Sequence, residues 1–227
     1  MSPAAGAGTP PEGEPTSIKR RITAAVAAVG LTAGAALAVA PAASANTGTN
    51  SLAAVLTSDG NQFDRNSFDY DIVTEAVLAV LKEKPGSPVG VLTDGTKAVT
   101  AFIPKDYAFR LLVRDLTGQW IFNEQKVFEA VASLGFDTVE QVLLYHVVPG
   151  ATVDKAGALQ SDNAALTTAQ GGTFTVDVIA KRFIRLIDND PDDLNPYVVQ
   201  FDINKGNAQI AHGISQVLRP LNVEDLL

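Results

Sequence analysis

"LLYHVVPG", Leu143 to Gly150, is the stretch on which the fold turns. An apolar helical run ends there, a pair of valines follows, and Pro149-Gly150 forces a turn. His146, one of two histidines in the chain, sits at that junction. A corner between a helix and a strand leaves backbone N–H and C=O groups that neither element satisfies. A neutral imidazole carries one donor and one acceptor, so His146 can answer both kinds of orphan group. The competing reading is chemistry at the ring, and the rest of the chain has to decide between them.

Upstream of His146 the pattern is helical. "SLAAVLTSDG" is expected as a short helix capped by Ser51 and ended near Gly60. In "FDYDIVTEAVLAVLKEKPG", Phe68, Ile72, Ala76 and Val80 recur at i, i+4, with Val73, Val77 and Leu81 beside them, until Pro85-Gly86 stops the helix. "SPVGVLTDGTK" reads as turns and a short extended piece. "AVTAFIP" reads as a strand, followed by a helix in "KDYAFRLLVRDLTG" with Asp106 at or near its N-cap and Gly118 beyond its end. "NEQKVFEAVASLG" is a helix entered at Asn123. The run into His146 opens on Asp137-x-x-Glu140, a capping-box pattern with Asp in place of Ser or Thr.

Downstream the period changes. In "GGTFTVDVIA", Phe174, Val176 and Val178 alternate behind a Gly171-Gly172 turn, and "RFIRLID", "YVVQFDIN" and "AQIAHGI" are further strands. Helices first and short strands later imply an α+β fold. Helices of the first half would pack on a β-wedge of mixed or antiparallel strands from the second half.

Residues 1–45 read as an export segment. Arg20 and Arg21 follow Lys19, an Ala-, Val- and Leu-rich run extends from Ile22 to Ala40, Pro41 breaks it, and Ala43-Ser44-Ala45 offers a small-x-small cleavage site. The alternative is a retained anchor, because at 1.5 Å per residue the run reaches roughly 28 Å. Its Ala, Gly and Thr content favours cleavage after Ala45, so the chain would meet the membrane only transiently. Residues 46–50 are expected as a flexible leader and 51–227 as one domain.

Charge and composition exclude several functions. A net charge of −8 gives no electrostatic reason to bind nucleic acid. Lys181, Phe183 and Arg185 in "KRFIR" share one strand face and read as a solvated edge rather than a phosphate track. Without cysteine there is no disulfide framework, thiolate metal site or cysteine nucleophile. Two histidines 66 residues apart make a poor zinc site, and "HGISQV" lacks the second glycine of a nucleophile elbow. Asp188, Asp190 and Asp192 fall at the 1, 3 and 5 positions of a calcium loop. Asp193 at position 6 and Val199 at position 12 break that pattern, so a solvated acidic loop is the expectation. Trp120 lies between two helices, as a lid on the core or as an exposed contact.

Three boxes in order resemble the fasciclin domain family, in the manner of a secreted bacterial single-domain member. "VTAFIPKDYAF", with Phe102, Pro104, Asp106 and Phe109, is similar to the family's first box. "LLYHVVPG", with Tyr145 and His146, matches its central Tyr-His motif, and "HGISQVLRPL", opened by His212, its closing box. Two departures stand out: Lys105-Asp106 where the family usually shows Thr-Asn, and Ser215 where an Asp is usual. The resemblance implies a compact α+β domain without a cofactor or enzymatic activity. It also implies a role in adhesion, contacting a protein or glycan at the cell envelope, with Tyr145, His146 and their surroundings as the associated motif. The alternative function is binding or processing of a small molecule or polysaccharide in a groove between helices and late strands.

Overall fold

The computed structural model describes residues 48–58, 60 and 62–221. The expected export segment lies outside them. Among the described residues no helix is long and apolar enough to cross a membrane.

In chain order the elements are α1 (Leu52–Leu56), α2 (Asp71–Glu83), a 3-10 helix (Pro88–Thr93), β1 (Val99–Pro104), α3 (Asp106–Thr117), α4 (Glu124–Ala132) and α5 (Phe136–Tyr145). There follow β2 (Val147–Pro149), α6 (Lys155–Ala158), β3 (Ala165–Thr167), β4 (Thr173–Ile179), β5 (Phe183–Ile187), β6 (Val198–Ile203) and β7 (Gln209–Ile214). One sheet has the order β2-β1-β7-β6 and a second the order β3-β4-β5. The α+β class therefore holds, with one refinement. β1 comes from the helical half of the chain and lies inside the first sheet, paired antiparallel to β2 and parallel to β7.

The near-continuous apolar run of β1 is what a strand covered on both faces requires. Val99, Ala101 and Ile103 join the core under the helices, together with Ala211 of β7. Phe102 turns the other way, with Ile214, into a second core completed by Phe174 and Val176 of β4 and Ile184 and Leu186 of β5. The first sheet is thus the middle layer between helices and the second sheet, and the period-2 alternation of β1 sorts its side chains between two cores. Close approach is part of the design at Gly213, where a Cβ would overlap the Tyr70 hydroxyl. That hydroxyl instead crosses the strand to donate to Gln200 Oε1 at 2.9 Å.

Several local expectations hold. Ser51 and Asn123 cap α1 and α4 through their side chains, and Gly118 closes α3 with φ +71°. Others fail for reasons of tertiary context. α2 begins only at Asp71, and Phe68 lies before it, 70% exposed. "SPVGVLT" coils into a 3-10 helix, capped by Ser87 and started by Pro88, instead of extending. Asp137 and Glu140 form no capping box: α5 enters at Gly135, and both carboxylates reach Lys84, Asp137 at 2.6 Å. Nor is the leader loose over its last residues. Gly48 bridges to Asn207, and Asn50 accepts from Asn204 Nδ2 at 2.8 Å, which ties the segment beside β7.

Candidate functional site

His146 closes α5, and both of its ring nitrogens are committed. Nδ1 lies 2.7 Å from Val142 O and so carries the proton. Nε2 accepts from Leu218 N–H at 2.9 Å. The backbone of the same residue accepts from Phe102 N–H at 2.9 Å. One residue therefore joins α5, β1 and the segment after β7. Burial disfavours its charged form and lowers its pKa to about 4.

His212 repeats the arrangement in the middle of β7. Its Nε2 donates to Val153 O at 2.8 Å, and Nδ1 accepts from Asp202 N–H at 3.3 Å. Its ring lies beside Phe102 and Phe201, and burial lowers its pKa too. Tyr145 donates from its hydroxyl to Thr173 O at 2.7 Å, fastening α5 to β4. Phe102 meets Phe174 edge-on at 5.2 Å. Pro104 and Phe109 line an apolar slot beside His146 of only about 30 Å³.

All seven motif residues are therefore in the interior: Phe102, Pro104, Asp106, Phe109, Tyr145, His146 and His212. His146 thus answers orphan backbone groups at the corner, as its position in the sequence suggested. Together the seven form the internal frame of the domain. Their ring hydrogen bonds leave neither histidine a nitrogen for general-base work.

Asp106 does not cap its own helix. It is the first residue of α3, and its Oδ1 accepts from Ile72 N–H at 3.0 Å, capping α2 instead. Its Oδ2 and Asp69 Oδ1 are both buried without an ordinary donor, and the two carboxyls face each other. One proton between them supplies what is missing. Burial first, and then Asp69, hold the Asp106 carboxyl well above the usual carboxylate range. An asparagine would offer the same oxygen and its own N–H, so protonated Asp106 imitates the residue more usual at this place. Glu124 completes the cluster: oxygens of Asp69, Asp106 and Glu124 lie within 4.8 Å of one another. Glu124 is answered by Arg110 at 2.9 Å and by Asp64 N–H at 2.6 Å.

The acidic loop before β6 is organised from within. Arg219 bonds Asp115 at 2.7 Å, Asp193 at 2.9 Å and Asp190 at 3.3 Å, while its N–H donates to Asp188 Oδ2 at 2.8 Å. The cation at the centre of this loop is the chain's own guanidinium. Asp188 is not a freely solvated carboxylate, since burial raises its pKa to about 6.

Outside this frame lies an open groove of about 480 Å³ between α3 and the β6–β7 end of the first sheet. Phe68, Tyr107, Leu111 and Val199 give it apolar walls. Lys105 and Ser215, the two places where the chain departs from the fasciclin pattern, both line it.

A family model for the fasciclin domain matches residues 78–220. The chain belongs to the fasciclin domain family. Its fold is similar to the FAS1 domain pair from the insect cell adhesion molecule fasciclin I, with a TM-score of 0.53 and 16% identity. The match covers 79% of this chain and 53% of that one, so the chain spans about half the length of the pair. No curated protein matches the sequence.

Within this fasciclin domain, sequence reasoning missed the groups that act across the fold. Arg219 offered a signal, as a lone cation in the apolar run Val217-Leu218-Arg219-Pro220, and Asp106 offered one by standing where Asn is usual. Asp69 offered none.

Two stability predictions follow from opposite linkage signs. Asp106 titrates higher folded than unfolded. Its stabilisation is complete below about pH 4, where a free aspartate titrates, and is lost as pH rises through the raised folded value. Asp106→Asn should therefore melt higher than wild type at pH 8 and show no gain at pH 4. An equal gain at both values would refute the shared proton. His146 titrates lower folded than unfolded, so its stabilisation is complete above about pH 6.5 and lost as pH falls through about 4. His146→Ala, which orphans Leu218 N–H and Val142 O, should cost about 1–3 kcal/mol in urea unfolding at pH 7. A variant with unchanged stability would remove His146 from the frame.

Proposed function

We propose that this fasciclin domain is a secreted, non-enzymatic interaction protein that acts by adhesive contact with a protein or glycan at the cell envelope. Fasciclin domains are associated with adhesion outside the cell, and the export pattern in residues 1–45 agrees with that setting. The observation that carries the reading is the division of labour in the fold. The family's motif residues are consumed inside as a frame, and an apolar groove edged by Lys105, Gln200, Ser215 and Gln216 is left open on the outside. Large apolar side chains gathered in one exposed groove mark an interaction surface. Phe68, the most exposed of them, gains nothing for the core where it stands.

The second reading, a ligand groove between helices and strands, draws on the same feature, because the groove runs between α3 and the β6–β7 end. A buried small molecule is not favoured, since the apolar slot at His146 holds only about 30 Å³.

The contact is tested by incubating the purified chain with isolated cell-envelope fractions. A Phe68→Ser/Tyr107→Ser variant should lose binding at least about tenfold, equivalent to about 1.4 kcal/mol, with its melting temperature unchanged. Wild-type protein that fails to bind the envelope would overturn the adhesion reading. Full binding by the double variant would move the contact elsewhere. Export is read separately: N-terminal sequencing of protein recovered from the medium should begin at Asn46, and an intact Met1 start would overturn cleavage.

A further inference from the structure

An aromatic pair between α3 and α4 takes no part in the frame. Trp120 and Phe122 are 45% and 70% exposed, and their rings lie within 9° of parallel with centroids 6.1 Å apart. The Arg114 guanidinium stands 5.0 Å from the Trp120 ring, so the stack is held in place although it faces water. Phe122 forms part of the wall of an open pocket of about 570 Å³, shared with Phe63, Asp64, Arg65, Arg110 and Asn123. Loop residues 62–70 contribute both to this pocket and to the groove described above.

The polar lining is mixed and partly uncommitted. Asn123 spends its Oδ1 on Lys126 N–H, as the cap of α4, and its amide protons go to no other described residue. Among the described residues Asp64 accepts only within its own turn, from Asn66 N–H. Arg65 bonds no other described residue. Arg110 is neutralised by Glu124 at 2.9 Å. The open charges are therefore one guanidinium against one carboxylate. Such a pocket favours neither a polyanion nor a polycation. Aromatic walls beside paired donors and acceptors suit a ligand with an apolar C–H face and a rim of hydroxyls. That is the chemistry of a neutral pyranose or furanose ring.

We propose that this pocket binds a neutral sugar unit of a polysaccharide, stacked on Phe122 and hydrogen-bonded through Asp64, Arg65 and Asn123. Trp120 backs the stacking ring and fixes its plane. The inference goes beyond the adhesion reading and can fail without it, because it needs no envelope partner.

Trp120 is the sole tryptophan of the chain and is stacked on Phe122, so its fluorescence reports on the ring that lines the pocket. The full chain is titrated with hexasaccharides of glucose, mannose, N-acetylglucosamine and arabinose, with a galacturonate hexasaccharide as the charged control. At least one neutral sugar should give a saturable change in the micromolar to millimolar range that survives added salt. Phe122→Ala and Asp64→Asn should each weaken it about tenfold, without loss of thermal stability. The proposal is overturned by the absence of any response to the neutral sugars. A response that persists unchanged in Phe122→Ala, or one confined to the charged control and abolished by salt, overturns it equally.

Discussion

The parallel pairing of β1 with β7 is the constraint on which the rest of this fold depends. Six residues on each strand are in register, Val99 beside Gln209 through Pro104 beside Ile214. No tight turn can join parallel neighbours, so everything between them must be accommodated as one long crossover. Closing such a contact costs loop entropy before it returns any binding energy. The pairing is therefore sealed immediately beyond its end. Leu218 N–H, four residues after β7, is received by the His146 ring, and Phe102 N–H of β1 by the His146 carbonyl. A histidine serves here because one planar side chain can both donate and accept inside an apolar setting. Its lowered pKa is the electrostatic trace of that burial.

Putting this pair in the middle layer explains why the motif residues have become inaccessible. Helices cover one face of the sheet and the second sheet covers the other, so side chains of β1 and β7 have no outward direction left. Tyr145 and His212 spend their polar atoms on backbone carbonyls and N–H groups of neighbouring elements. What varies outward is set just beyond the strand ends, at Lys105 after β1 and Ser215 after β7. The same register that buries the frame places those two residues on one groove. A domain built this way can change the chemistry of that groove without disturbing its closure.

The architecture was legible in the sequence wherever a local rule and the tertiary structure agree. Pro149-Gly150, Gly118, Ser51 and Asn123 punctuate the chain as their backbone chemistry requires. The alternation of Phe174 and Val176 placed β4. What was not legible shares one cause: a polar side chain satisfied by a partner far along the chain. Asp106 stands where a cap belongs and caps a different helix. Asp137 and Glu140 have capping-box spacing, yet a lysine 53 residues before Asp137 takes both. Asp188, Asp190 and Asp193 look solvated until Arg219 is placed among them. Spacing cannot distinguish these outcomes, because the same carboxylate can accept from its own helix, another helix or a guanidinium. Of the candidate site, the frame was readable and the exposed surfaces were not. Phe68 fits a helical stripe in sequence and stands outside it in space.

Three acidic groups in this domain are neutralised by three different means, and the difference decides where the molecule responds to pH. Arg219 holds the loop before β6 with a charge that no physiological pH removes. Lys84 meets Asp137 and Glu140 at the surface, where water and salt screen the attraction. Asp106 relies on a proton instead, and its contacts with Asp69 and Ile72 N–H join the start of α3 to the end of loop 62–70 and the start of α2. The loop lines both open pockets, with Phe68 in one and Asp64 and Arg65 in the other. Loss of the proton sets the Asp106 carboxylate against that of Asp69 at the base of this loop, with Ile72 N–H the one backbone donor to Asp106 among the described residues. The loop that lines both open pockets is therefore tied to a buried carboxyl whose contribution to stability grows on acidification, the opposite sign to that of His146.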